Sequence, residues 1–289
     1  MGVCASSERR TTKMFLNEHS NNPNEHGKIM VSLISFLNEH ISLNKYAVNL
    51  GAEDGITSDP TYALYSSFHF DGVAFEPDKA RFTTLIRNLP QHVIKVCDYA
   101  TPENVLGSFN GLKVPLDADV MKIDIDGYDY FVTKEILKKY TPKVLCVEAQ
   151  PIFPPKLNFT MSYFKEYSGW DSSMCVGASL ELMTKMIRNR SYELIYLDWY
   201  DAYFIRKDLF HLFGSFDSSI DSVWMNGWFN KPRDNFGPKF AHFDNLKNLN
   251  PQAQLDFINE DDNFKGKKYT LFHDDISYDD SIIKDLEIK

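Results

Sequence analysis

Three features are scarce in this 289-residue chain, and each scarcity excludes a class of protein. No run of about 18 apolar residues occurs, so the sequence predicts no transmembrane helix. The cysteines, Cys4, Cys97, Cys146 and Cys175, form no CxxC pair. Their spacing argues against a zinc site or a disulfide framework and favours a reducing, cytoplasmic compartment. Basic residues are in deficit, with a formal net charge of -9 and no Lys/Arg stripe, which disfavours a nucleic-acid partner.

The composition is that of a globular protein, with 43% hydrophobic residues to build a core. Residues 1–27 are rich in Asn, Ser, Glu and His and are predicted to be flexible. The first six residues fit the pattern for N-myristoylation of Gly2, with Cys4 available for palmitoylation. The sequence therefore suggests peripheral membrane association, unless the match is a chance one in a flexible start.

Short apolar runs alternate with helical patterns over residues 28–207. The predicted strands are Tyr46–Leu50, Gly72–Glu76, His92–Cys97, Val120–Ile125 and Lys143–Glu148, and the predicted helices are Lys28–Leu43, Ala80–Asn88, Tyr130–Tyr140 and Ser179–Arg190. Repeated strand–helix order favours a parallel sheet with right-handed crossovers.

Two further strands, Tyr192–Leu197 and Ala202–Arg206, are separated by only four residues. So short a connection permits a hairpin and no crossover helix, so the last strand is predicted to run antiparallel. The pattern fails beyond Asp208. Residues 208–289 are predicted to form an irregular extension with an acidic tail.

Gly51 and Gly55 follow the first strand in Asn49–Gly55 and predict a turn at which a ligand approaches the backbone. This GxxxG spacing lacks the third glycine of a dinucleotide fingerprint, which disfavours a nicotinamide cofactor.

Glu76 ends the second strand, where a carboxylate can accept both ribose hydroxyls of a nucleoside. The alternative is that Glu76 is a solvated acid at a strand end. Asp98 is a candidate contact for the adenine edge of the nucleoside, and it too has a purely structural alternative.

Asp124 and Asp126 end the fourth strand, and strand alternation predicts that both point to the same side. Two close carboxylates repel each other unless a cation or a proton lies between them. The sulfonium and ammonium of S-adenosylmethionine, or a divalent metal ion, would supply that positive charge. The alternative is that the two aspartates only cap a structural element. Glu148 ends the fifth strand and is a candidate general base or a loop-pinning acid.

These motifs together resemble the FkbM-like branch of class I S-adenosylmethionine-dependent methyltransferases. The residues that carry the resemblance are Asn49–Gly55, Phe75–Asp78, Lys122–Asp129 and Val147–Glu148, with Gly177–Leu180 and Tyr192–Leu194 downstream. The resemblance covers about 160 residues. It implies a Rossmann-like α/β fold: a seven-stranded, mostly parallel sheet with an antiparallel last strand and helices on both faces.

The resemblance also implies residue roles. Gly51, Glu53 and Gly55 would line the cofactor, Glu76 would hold the ribose, and Asp124 would lie near the methionine part. Members of the family are regarded as O-methyltransferases of small molecules or sugars, and Asp126 or Glu148 is the candidate base. A non-catalytic, lipid-anchored interaction protein of the same fold is the alternative function.

Overall fold

The computed structural model describes residues 26–164, 170–232, 238–278, 282 and 286. Residues 1–25 of the segment predicted to be flexible, including Gly2 and Cys4, lie outside the described residues. Most of the predicted acidic tail beyond Tyr278 also lies outside them. None of the described helices combines the length and the apolar character needed to cross a bilayer.

Seven strands form one sheet, as predicted. The nine strands of the described chain are β1 (Tyr46–Leu50), β2 (Asp71–Phe75), β3 (Val93–Val96), β4 (Val120–Ile123), β5 (Val144–Glu148), β6 (Leu157–Met161), β7 (Tyr192–Asp198), β8 (Asp201–Arg206) and β9 (Tyr269–His273). The main sheet has the order β3-β2-β1-β4-β5-β8-β7. Only β8 runs against its neighbours, pairing antiparallel with both β5 and β7, which confirms the predicted hairpin.

Helices cover both faces of this sheet, as predicted, because successive strand side chains alternate between two apolar clusters. Val48 and Leu50 point to one cluster and Ala47 to the other. Six helices belong to this layer arrangement: α1 (His26–His40), α2 (Tyr62–Ser66), α3 (Lys79–Asn88), α4 (Val105–Gly111), α5 (Asp129–Ile136) and α6 (Leu180–Arg188). Residues of α1, α2 and α3 join the Ala47 cluster, and residues of α4, α5 and α6 join the other.

Contrary to the prediction, most of the described residues after Asp208 form regular elements. They form α7 (Ile220–Trp224), α8 (Pro238–Asp244), α9 (Pro251–Glu260) and β9, which pairs antiparallel with β6 in a second, two-stranded sheet. Phe264 packs edge-on against Phe159 of β6, with ring centroids 5.5 Å apart. The sequence pattern missed contacts such as this one, because a pair of residues about a hundred positions apart leaves no local periodicity.

These C-terminal residues belong to the same apolar cluster as β1 and β4. Leu246 is fully buried in that cluster, whereas Leu116, in the loop before β4, is 52% exposed. We therefore expect Leu246→Ala to lower the free energy of unfolding by about 2–5 kcal/mol, the range for leucine truncation in a packed core. Leu116→Ala is the matched control and should change it by about 0.5 kcal/mol or less. Urea-induced unfolding measures both, and equal effects would show that the C-terminal residues are not part of the core.

Candidate active site

The strand order reverses between β1 and β4, and a cavity of about 1050 Å³ opens at the carboxyl ends of the strands there. Open α/β sheets bind their ligands at this kind of switch point. We call the part bordered by β1, β2, β3 and α3 the β1–β3 half. The part bordered by β5, the β7–β8 turn, Tyr163 and Trp170 is the β5–β8 half. The volume is at the upper end of the range of about 300–1,000 Å³ that holds one small molecule.

Gly51 turns the chain sharply at the end of β1, with φ +79°. Its N–H donates to the carbonyl of Phe75 (3.1 Å), and a Cβ at this position would lie 1.6 Å from the carbonyl oxygen of Asp124. The positive φ and this close approach both require glycine. Gly51 thereby lets the ends of β1, β2 and β4 meet.

Gly55, which the family resemblance implies would line the cofactor, is not among the residues that line this cavity. It also has a positive φ, +78°, but a Cβ there would meet the side chains of Leu85 and Leu89, at 2.6 and 3.0 Å. Gly55 therefore allows the turn to pack against α3, a tertiary contact that the glycine spacing does not reveal.

Glu76 follows β2 and is only 3% exposed. Its two carboxylate oxygens accept the backbone N–H groups of Glu53 (2.9 Å) and Asp78 (2.8 Å). Burial raises the pKa of Glu76, although these two hydrogen bonds oppose the rise. Each oxygen keeps lone-pair capacity for a further donor, so the carboxylate is oriented to accept two neighbouring hydroxyls.

Glu53 and Asp98 also line the β1–β3 half of the cavity. The Glu53 carboxylate forms an ion pair with Arg81 of α3 (2.7 Å), and both side chains are about half exposed. Asp98 lies in the loop two residues beyond β3, where its carboxylate accepts the N–H of Tyr99 (2.8 Å). Both residues therefore border the same cavity as Glu76.

Lys122, a buried residue of β4, connects the two central strands. Its Nζ lies 2.9 Å from the carbonyl of Gly51 and 2.9 Å from the carboxylate of Asp124. Burial alone lowers the pKa of this lysine, but the nearby carboxylates, that of Asp124 foremost, raise it above its ordinary value. Lys122 is therefore charged and holds Asp124 at the cavity wall.

Asp124, Asp126 and Glu148 each present a carboxylate oxygen, and these oxygens all lie within 4.8 Å of one another. The sequence predicted the proximity of the two aspartates, but its reason was wrong. β4 ends at Ile123, so strand alternation does not extend to Asp126, which instead has a left-handed backbone, φ +55°. Tertiary structure brings the three carboxylates into an acidic cluster.

Asp129 holds the turn that carries Asp126. Its buried carboxylate accepts the backbone N–H groups of Ile125 (2.9 Å) and Gly127 (3.0 Å). Burial and the charge of Asp124 raise the pKa of Asp129 to about 7. This aspartate therefore positions the turn and does not line the cavity.

Glu148 is the third member of the acidic cluster. Its Oε2 is buried and has no hydrogen-bond partner among the described residues. Burial, then the charges of Asp124 and Asp129, raise the pKa of Glu148 well above its ordinary value, and burial and Asp124 raise the pKa of Asp126. A cation bound here, whether organic or metallic, would favour the ionised carboxylates.

Aromatic side chains form much of the β5–β8 half: Tyr128, Tyr163, Trp170, Trp199 and Tyr200. Tyr200 lines the cavity, and Trp228 and Phe240 pack against its ring at centroid distances of 5.7 and 6.4 Å. The C-terminal residues therefore support this wall.

Sequence reasoning missed Lys122 and Asp59 as site residues. A lysine within the apolar run of β4 was the available signal, because a buried ammonium requires compensating charge. Asp59 is buried at the cavity wall, where it accepts a hydrogen bond from Asn49 (2.7 Å) of β1. Nothing in the sequence around Asp59 indicates that contact.

No family model matches this chain, and no curated protein matches it. Among solved structures, it is similar to the plantazolicin methyltransferase BamL in complex with a triazolic desmethylPZN analog and SAH (8% identity, 69% of this chain, 91% of that chain, TM-score 0.35). It is similar to an O-methyltransferase family protein from Burkholderia thailandensis (13% identity, 69% and 68%, TM-score 0.34). The fibrillarin/Nop5p complex also matches (11% identity, 61% and 79%, TM-score 0.35). These likenesses are weak, so the assignment of the fold rests on the strand order itself.

Substitution of Gly51 tests the close approach at the switch point. We expect Gly51→Ala to lower the free energy of unfolding by at least about 2 kcal/mol, because it adds left-handed strain and a clash with the Asp124 carbonyl. Gly107 of α4 has no atom within 4 Å of a built Cβ. The control Gly107→Ala should stabilise the protein by about 0.5–1 kcal/mol, since alanine favours helix. Urea unfolding gives both values, and a neutral Gly51→Ala would contradict the geometry.

Proposed function

We propose that this protein is an S-adenosylmethionine-dependent methyltransferase that methylates a hydroxyl group of a small molecule or sugar, as in the FkbM-like family that its motifs resemble. The observation that carries the proposal is the placement of Glu76. Its oriented carboxylate faces the same cavity as the Gly51 turn and the acidic cluster. A diol-binding carboxylate and a cation-favouring cluster match the two ends of this cofactor, a nucleoside and a sulfonium amino acid.

The residues present fit the cofactor. Glu76 would accept the ribose hydroxyls, and Asp98 would lie toward the adenine edge. Asp124, held by Lys122, would face the methionine part. The buried, unpartnered Oε2 of Glu148 is consistent with a site that is completed by a bound molecule.

When bound, the cofactor supplies a methyl group on a good leaving system, so the protein chiefly aligns the acceptor oxygen. A base that takes the hydroxyl proton assists this reaction, and Glu148 and Asp126 are the candidates. The raised pKa of Glu148 suits this role, because a base is most effective when its pKa lies near the working pH. Asp129 positions Asp126 through the turn that it holds.

Calorimetry with the purified full chain tests the proposal. We expect S-adenosylmethionine and S-adenosylhomocysteine to bind with micromolar affinity. Glu76→Gln should weaken both by at least about tenfold, because the amide replaces an acceptor oxygen with a donor beside two backbone N–H groups. Glu39→Gln, the same change at an exposed position of α1, should leave both affinities unchanged. If neither compound binds to the wild-type chain, the proposal is refuted.

The acidic cluster predicts a pH dependence. The raised pKa values of Glu148 and Asp126 mean that these groups lose protons only as the pH rises above the ordinary carboxylate range. The sulfonium of S-adenosylmethionine interacts best with the ionised cluster, and S-adenosylhomocysteine has no sulfonium. We therefore expect the affinity ratio of the two compounds to rise in favour of S-adenosylmethionine from about pH 5 to about pH 7.

Titration of the protein with both compounds across this pH range measures the ratio of their affinities. Any effect of the amino group cancels in this ratio, because both compounds carry it. Glu148→Gln should flatten the dependence, because it removes one of the titrating carboxyl groups. A ratio that is constant with pH in the wild-type protein would show that the cluster does not face the sulfonium.

A further inference from the structure

S-adenosylmethionine carries a carboxylate in its methionine part, besides the sulfonium and the ammonium. Three cavity residues that are candidates to hold this cofactor, Glu76, Asp98 and Asp124, are acids and repel an anion when they are ionised. A carboxylate that leaves water needs a cation or hydrogen-bond donors to compensate the loss of hydration. Among the described residues that line the cavity, the basic ones are Lys79, Arg81 and Lys122.

Lys122 is already engaged by the protein itself. Its buried ammonium bonds to the carbonyl of Gly51 and forms an ion pair with Asp124, at 2.9 Å in both cases. Burial lowers the pKa of Lys122, but the charges of Asp124, Asp59 and Asp201 raise it above its ordinary value. A ligand carboxylate at this ammonium would lie among these acids, so Lys122 is a poor partner for it.

Arg81 is fixed in the first turn of α3, in the β1–β3 half of the cavity. Its backbone N–H donates to the carboxylate of Asp78, which caps the helix (2.8 Å). Its Nη1 donates to the carboxylate of Glu53 (2.7 Å), and the backbone N–H of Glu53 donates in turn to Glu76 (2.9 Å). The guanidinium is therefore held one residue away from the carboxylate that is the candidate for the ribose.

The charge of Arg81 reaches two parts of the site. Burial raises the pKa of Glu76 and the pKa of Asp126, and the positive charge of Arg81 opposes the rise at each. Glu76 is the candidate for the ribose, and Asp126 belongs to the acidic cluster that is the candidate for the sulfonium. The methionine part of the cofactor joins the nucleoside at the sulfonium, so its carboxylate can reach a cation that is near both groups.

Arg81 also has donors to spare. A guanidinium has five N–H donors in a planar fork that matches a carboxylate. The contact with Glu53 uses one nitrogen, and both side chains are about half exposed, so a ligand can approach the others. Lys79 lines the same half, but its ammonium has no hydrogen-bond or ion-pair partner in the described part of the chain, so nothing orients it.

We propose that Arg81 binds the carboxylate of the cofactor's methionine part, through guanidinium N–H groups that Glu53 does not use. This inference rests on the proposed function and adds a residue to its cofactor site. Glu53 keeps the guanidinium at the cavity wall, and the cofactor carboxylate completes the pairing of its positive charge. Compounds that have the nucleoside but lack this carboxylate bind more weakly.

Calorimetry on the full chain tests this pairing with two ligands that differ only in the carboxylate. They are S-adenosylhomocysteine and its decarboxylated analogue, S-adenosyl-3-thiopropylamine. We expect the wild-type protein to bind S-adenosylhomocysteine at least about fivefold more tightly than the analogue, because a hydrogen bond between charged groups is stronger than one between neutral groups.

Arg81→Gln should weaken the binding of S-adenosylhomocysteine by at least about fivefold and that of the analogue by less than about twofold, so that the two affinities become similar. Arg87→Gln is the matched control. It makes the same change at an exposed position of α3 that does not line the cavity, and it should alter neither affinity. Unchanged binding of the analogue by Arg81→Gln shows that the variant is folded and that its nucleoside site is intact.

Three results would overturn the inference: the wild-type protein binds the two ligands equally well, Arg81→Gln keeps the wild-type preference, or Arg81→Gln weakens both ligands equally. The last result would assign Arg81 a structural role at the turn that contains Glu53. In each of these cases S-adenosylhomocysteine still binds to the wild-type protein, so the proposed function stands. That function fails only if neither S-adenosylmethionine nor S-adenosylhomocysteine binds to the wild-type chain.

Discussion

The centre of this structure depends on the hydrogen bond and the ion pair that the buried ammonium group of Lys122 forms. It bonds to the carbonyl that follows β1 and to the carboxylate that follows β4, the two strands between which the sheet reverses its order. A lysine inside a sheet is costly unless acids compensate it, and Asp124 and Asp59 do so. The charge of Lys122 therefore accounts for two of the acidic residues that line the cavity, Asp124 and Asp59.

The acids of the site exceed what Lys122 neutralises, and the excess has a cost in stability. Burial and the charge of Asp124 raise the pKa of Asp129 in the folded protein above the value of about 3.9 for an aspartate in an unfolded chain. The protonated group therefore favours folding below about pH 4, and that contribution is lost as the pH rises toward 7.

The C-terminal residues pack behind the aromatic wall of the cavity. β9 pairs with β6, which leads directly to Tyr163 at the cavity, and Phe240 of α8 packs behind Tyr200. The β1–β3 half of the cavity is formed by β1–β3 and α3, whereas the β5–β8 half depends on residues far along the chain. Substitutions in the C-terminal residues would therefore alter the β5–β8 half and leave the β1–β3 half unchanged.

The sequence by itself determined the main sheet. Apolar runs such as Tyr46–Leu50 are local signals, and the short β7–β8 connection permits only an antiparallel hairpin. It also indicated the strand-end acids Glu76, Asp124 and Glu148, because the carboxyl ends of parallel strands meet at one edge. Only the tertiary structure decided the rest. The left-handed backbone of Asp126, the packing role of Gly55 and the pairing of β6 with β9 all depend on contacts between residues distant in sequence, and such contacts leave no local periodicity.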